Sequence, residues 1–280
     1  MVSGLARYLR LLLAFGRFSL STELAFRVNF LMKITVELLW LGILLIFYAL
    51  IFGSTGEVGG WDGNRYLFFV GCYYLLEGTI ETFFLSNCTE FSDLVRSGEL
   101  DTYLLRPIDE QFLITCRSID WSTAPKLVLG PFVMGVALWR LRYHPAPGAD
   151  LWHFDAGQAA AFVVLFLCSV AIAYSFLVML TMSAVWMVRN QSLMEMWWLL
   201  TTLMRYPREI YYRSWWAAPL YYGAWYLLPV LIIINVPAAT MVRGLDWKNA
   251  ALAVAAAVVM LAASRWFFRH ALRSYRSASS

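Results

Sequence analysis

Two long stretches of this chain, Ala156 to Val188 and Ser214 to Val242, contain no Asp, Glu, Lys or Arg. Each exceeds the roughly 20 apolar residues that a helix needs to cross a bilayer. Of the 280 residues, 61% are hydrophobic and 14% charged, against roughly half and a quarter in an ordinary soluble domain. A soluble globular fold is therefore excluded, and the expectation is an all-α polytopic membrane protein. Apolar segments recur from end to end and no polar stretch is long enough to fold alone, so residues 1–280 read as one membrane domain.

The net charge is only +4, and the basic residues sit at span ends rather than in a stripe. That pattern suits anionic lipid and gives no support for a nucleic-acid partner. Cys72, Cys88, Cys116 and Cys168 are scattered, with no CxxC pair and no nearby His, so neither a metal site nor a disulfide framework is expected. Arg17 and Glu23 interrupt what would be the apolar core of a signal peptide. Instead Leu5, Tyr8, Leu9, Leu12 and Leu13 recur at helical spacing, while Arg7, Arg10 and Arg17 fall on the other side. This predicts an interfacial helix over 1–22, lying on the cytoplasmic surface and bending near Ser19 to Thr22.

Spans are expected at 24–52, 65–85, 112–138, within 156–188, and at 249–268. A glycine-rich turn follows the first, and a proline-marked loop, with Pro145, Pro147 and Gly148, follows the third. Both ends are Arg-rich, which places both termini in the cytoplasm and makes the number of crossings even. Six can be reached in two ways. If 193–206 crosses and the segment marked by Pro219, Pro229 and Pro237 (211–241) dips in from outside, 13 of the 22 Lys and Arg lie inside and eight outside, with Lys126 in a span. If 193–213 stays on the cytoplasmic surface and 214–242 crosses, the split is 16 to five. Charge favours the second. Three prolines in one lipid-facing helix oppose it, because broken backbone at membrane depth needs protein or water around it.

The long polar connection between the second and third spans contains a short helix, with Asn87 as its cap, Glu90 at the third position and Gly98 at its end. Phe91, Leu94 and Val95 form one apolar face, with Asp93 and Arg96 free to bond outward. A second short element runs from Glu99 through Asp101 to Leu105. Such a ridge outside the membrane suits a groove in a cytoplasmic partner; a solvated loop helix without a partner is the plainer alternative.

The stretch Phe91-Ser92-Asp93-Leu94-Val95-Arg96-Ser97-Gly98-Glu99-Leu100-Asp101-Thr102-Tyr103-Leu104-Leu105-Arg106-Pro107 resembles the region after the second span in permease subunits of type-2 ABC exporters, in particular a bacterial branch with a G-x-L-D-x-Y-L-L-R-P pattern. The basic N-terminal helix, the six spans and the late proline-marked segment are similar too. The resemblance implies a homodimer or a pair of related permeases in the bacterial inner membrane, each docking one cytosolic ATPase through a coupling region at 87–107. Phe91, Asp93, Leu94, Val95, Arg96, Glu99 and Asp101 would then make the contact. It also implies the re-entrant arrangement of 211–241. The expected cargo is an amphiphilic or hydrophobic small molecule or lipid-like compound, with cations among the candidates.

The three lysines, Lys33, Lys126 and Lys248, follow no phosphate-binding G-x-x-x-x-G-K-[ST] loop. ATP and Mg would therefore sit on the partner subunit, with no cofactor in this chain. An intramembrane enzyme is disfavoured, because His144, His153 and His270 lie at loops or ends without a catalytic motif. A channel or scaffold lacking an ATPase is the remaining alternative.

Ionisable groups inside spans are costly and mark functional candidates. Glu37 has Lys33 one turn away, which predicts a mutual pair. Glu77 and Glu81 share one face of the second span and have no local partner, leaving Arg117 as a candidate for one of them. Glu37, Glu77 and Glu81 are thus expected on the substrate path, as an acidic vestibule for a cation or as a structural network.

Overall fold

The computed structural model describes residues 2–144, 152–186, 191–212 and 218–275. The proline-marked loop at 145–151, Arg189, Arg213 and Arg276 lie outside them. The described residues are mostly helical. Among the described residues four helical stretches are long and apolar enough to cross a membrane: Arg27–Ser54, Gly63–Ser97, Ala156–Ser183 and Trp247–Ser274.

Helix α1 (Val2–Ala25) is longer than the expected interfacial helix and breaks at Phe26, before α2 (Arg27–Ser54). Leu9, Leu13 and Phe18 are exposed, as an acyl-boundary face requires. The other side is not simply solvated. Arg7 donates to the Pro107 carbonyl at 2.7 Å, while Arg10 and Arg17 stay exposed. Tyr8 accepts from the Asp109 amide, Ser19 from that of Ile119 and Glu23 from that of Trp121. The helix thus lies along residues 107–121, the end of the polar connection and the chain just after it.

Glycine at both corners of the turn after α2, Gly59 (φ +60) and Gly60 (φ +75), permits a two-residue hairpin. It joins the short strands β1 (Glu57–Val58) and β2 (Trp61–Asp62), a small addition to the all-α expectation. Asp62 then caps α3 (Gly63–Ile80) by accepting from the amides of Asn64 and Arg65. A π-helical turn at Glu81–Leu85 carries the helix into α4 (Ser86–Thr89) and α5 (Phe91–Ser97), which ends at Gly98 in the left-handed conformation (φ +75). The glycine end matches expectation, but the cap does not. Asn87 is buried, and its side chain binds Phe83 O and both the amide and carbonyl of Ser118. Strong bonding to the facing segment holds Asn87 inside a continuous helix.

After α6 (Leu100–Leu104) and α7 (Glu110–Cys116), non-helical chain leads to α8 (Pro125–Tyr143). The third span expected at 112–138 is therefore divided. Asp120 and Ser122 form a turn, and Pro125 suits the first position of a new helix, where its missing N–H costs nothing. At 19 residues α8 is about 28 Å long. It packs closely along α3 because of glycine: a Cβ at Gly71 would lie 2.5 Å from Met134 Cγ, and one at Gly78 would collide with Lys126 Cβ.

Helices α9 (Ala156–Ser183), capped by Asp155, and α14 (Trp247–Ser274), capped by Asp246, pack together. Between them in sequence come α10 (Gln191–Met204), α11 (Arg208–Tyr212), α12 (Ala218–Tyr222), a π-helical turn at Gly223–Leu227 and α13 (Val230–Arg243). Pro219 is exposed on α12, Pro229 precedes α13, and Pro237 lies within it. Helix α13 is buried nearly all round between α9 and α3, which is where a helix apolar on every side belongs. Its end returns to the first hairpin: Arg243 donates to Gly60 O at 2.6 Å and lies 4.0 Å above the Trp61 ring.

The α3–α8 contact yields a direct test. Gly78→Ala should cost about 1–3 kcal/mol through overpacking and lower the melting temperature in detergent. Gly135→Ala on the same α8, where a Cβ meets nothing within 4 Å, should leave it unchanged. Equal melting of the two variants would contradict this account of the packing.

Candidate functional site

The expected acidic residues do come together, but around a partner the spacing argument did not choose. Lys126, on the first turn of α8 and 6% exposed, reaches past Gly78 to the C-terminal half of α3. Its Nζ lies 2.6 Å from Glu81, 3.1 Å from Glu37 and 3.4 Å from Glu77. Glu37 therefore turns to Lys126 rather than to Lys33. Arg117, proposed for Glu77 or Glu81, is instead bonded to Glu90. Both local expectations failed because α8 inserts a lysine where helical spacing along one chain segment shows none.

Aromatic hydroxyls order this cluster. Tyr73 donates to Glu77 at 2.7 Å and accepts from Arg205 at 3.4 Å. Tyr74 donates to the Glu37 carbonyl at 2.8 Å, and its ring centroid is 5.5 Å from the lysine Nζ. The π-helical turn begins at Glu81; such turns interrupt the regular ladder and recur at functional sites. Together these groups line a cavity of about 760 Å³, bounded also by Trp40 and Phe47 of α2 and Trp198 of α10. That volume is within the range that accommodates a drug-sized molecule. The arrangement can hold and orient a charged amphiphile. Among the described residues no group of side chains suits a metal ion.

The second site is the polar connection. The apolar ridge expected to face a partner is turned inward: Phe91 is fully buried and Leu94 is 6% exposed, both in the main core, with Val95 half-buried. What faces outward is polar, with Asp93, Arg96 and Glu99 exposed and Asp101 half-exposed. The reason is economy of apolar surface, since α5 lies against the chain's own helices and its ridge is used there. Leu105, 86% exposed, is the apolar residue this region does present.

A lock behind this segment was not foreseen. Asp109 caps α7 through the Phe112 amide, and Arg265 of α14 grips both its carboxylate oxygens and Gln111. Burial pushes the Asp109 carboxyl up, but the hydrogen bonds from Arg265 and the Phe112 amide outweigh it and hold it below the usual range. The pair is separated by 156 residues, so no spacing argument could find it. Lys126 had one available signal: a lysine just inside an apolar stretch is itself in need of a counter-charge.

The charge count makes the lysine the critical member. Lys126→Met leaves three carboxylates facing one another and should destabilise the protein by about 3–5 kcal/mol. Glu37→Gln leaves the lysine two partners and should cost less than about 1 kcal/mol. Thermal melting of the two purified variants measures the difference; equal losses would contradict it.

The model of the family described as ABC-2 family transporter protein matches residues 38–279. No curated protein sequence and no solved structure matches the chain. The matched region holds three of the four long apolar helices and the later part of Arg27–Ser54, the divided helix pair around Asp120, and Lys126 with Glu77 and Glu81. The protein is therefore a multi-pass membrane transport component and belongs to the ABC-2 transporter permease family.

Proposed function

We propose that the chain is the permease subunit of an ATP-driven exporter in a bacterial inner membrane, working with a cytosolic ABC ATPase that holds ATP and Mg. It would pair with a second copy or a related permease. The cargo would be an amphiphilic or hydrophobic small molecule or lipid-like compound leaving the cytoplasm or inner leaflet. Family membership supports the transport role. The observation that carries the ATPase contact is the outward face of α5: Asp93 and Arg96 stand on a helix whose other side is anchored in the core by Phe91 and Leu94. A rigid mount with a charged face is suited to transmit a push from a docked partner along the continuous 63–97 helix. The docking surface is thus charged, with Glu99 and Asp101 beside it, rather than an apolar plug.

In this reading both termini are cytoplasmic, six helices cross, and 211–241 is a re-entrant segment on the outer side. Support for the last point comes from Arg243 and Glu209. Arg243 ends α13 at the Gly60 carbonyl, and Glu209 accepts from Trp61 Nε1 at 3.1 Å. Both ends of the segment therefore meet the hairpin that joins α2 to α3.

Two outcomes are expected. Charge reversal at Asp93 or Arg96 should cut co-purification of the ATPase several-fold at unchanged melting temperature, whereas Leu94→Ala should lower the melting temperature by removing a core side chain worth about 2–5 kcal/mol. Undiminished co-purification with the charge-reversed variants would defeat the docking assignment. For the topology, Tyr222→Cys in a cysteine-free background, at a position 55% exposed, should react with an impermeant thiol reagent on intact cells. Labelling only after the membrane is opened would place the segment on the cytoplasmic side.

A further inference from the structure

The cavity at Lys126 is not neutral. Glu37, Glu77, Glu81 and Asp120 face Lys126 and Arg205, four carboxylates against two cations. Asp120 is held by the hydroxyl and amide of Ser122, and Arg205 leans on the Tyr73 ring and hydroxyl. The excess therefore falls on the three glutamates that share one lysine. Charge without a counter-charge is costly away from bulk water, and a cation entering beside the glutamates would relieve it.

The walls fit such a cation. Trp40, Phe47, Tyr73, Tyr74 and Trp198 offer aromatic faces, which attract positive charge through their negative faces. One wall atom closed off from solvent, Nε of Arg205, has no hydrogen-bond partner. Unpaired polar atoms in such a place are expensive unless something fills them. A ligand with an acceptor group at that end would take the Arg205 N–H.

We propose that this cavity binds an organic cation with an apolar, preferably aromatic, body, and that Lys126 is a built-in counter-cation that holds the three glutamates when the cavity is empty and is displaced from them when it is filled. Displacement limits how tightly any cation binds, and the return of the lysine ammonium helps to expel it. The proposal names the cargo class for the transport reading above and rests on that reading for its place in a transport cycle. Binding itself needs no ATPase.

The test uses the purified full chain in detergent with tetraphenylphosphonium and, as an anion of the same shape, tetraphenylborate. Tetraphenylphosphonium should bind the unmodified protein and raise its melting temperature. It should bind Lys126→Met at least tenfold more tightly, with a larger rise in melting temperature, because the lysine no longer competes and the ligand supplies the missing charge. Glu37→Gln should bind at least threefold more weakly, and tetraphenylborate should shift none of the three. Lys126→Met binding no tighter, or the anion binding as well as the cation, would overturn the proposal. If Lys126→Met cannot be obtained folded, Glu37→Gln decides: unchanged affinity for the cation overturns it. Neither ATPase nor transport enters the measurement, so its failure leaves the exporter reading standing. Loss of that reading would likewise leave the binding site intact.

Discussion

A single ammonium group in contact with three carboxylates ties α2, α3 and α8 together. Lys126 belongs to α8, Glu77 and Glu81 to α3 and its π-helical turn, and Glu37 to α2. Helix α2 otherwise shows most of its surface outward, with Leu31, Leu39, Trp40, Ile43 and Leu50 all exposed. In hydrocarbon, apolar side chains gain little by leaving lipid for another helix, so polar contacts and close packing carry helix association. Gly78 makes both possible at one point, since it removes the Cβ that would push the lysine stem away.

The same economy explains the polar connection between α3 and α8. A chain this apolar still has to fix its polar connection, and it does so by burying Phe91 and Leu94 and by hydrogen-bonding the backbone of residues 107–121. Helix α1, Asn87 and the Arg265–Asp109 pair all bind that backbone or its caps.

The membrane class, the long apolar helices, the glycine-rich turn after the first span and the Gly98 helix end were legible in sequence, because each depends on local pattern or on a backbone angle that glycine alone adopts freely. The motif from Phe91 to Pro107 also identified the family, which the match over residues 38–279 confirms. What could not be read locally was direction. Periodicity shows that Phe91, Leu94 and Val95 share a face but not whether that face looks inward. The three glutamates were identified as a group, yet their lysine comes from the start of a helix that fell inside the span expected at 112–138, and spacing along one segment does not show which helices meet. Asp109 with Arg265 lay further still from any spacing rule.

In the transport proposal the charged, aromatic cavity is a path for cargo rather than a structural knot. Inside-out membrane vesicles containing the permease and its ATPase, supplied with a hydrophobic cation, test that most directly. ATP should drive accumulation of the cation in the vesicle lumen above its equilibrium distribution, and the accumulated cation should leak back when ATP is exhausted. Equilibration of the cation to the same level with and without ATP would contradict the account, since it would make the cavity either a passive channel or a purely structural network.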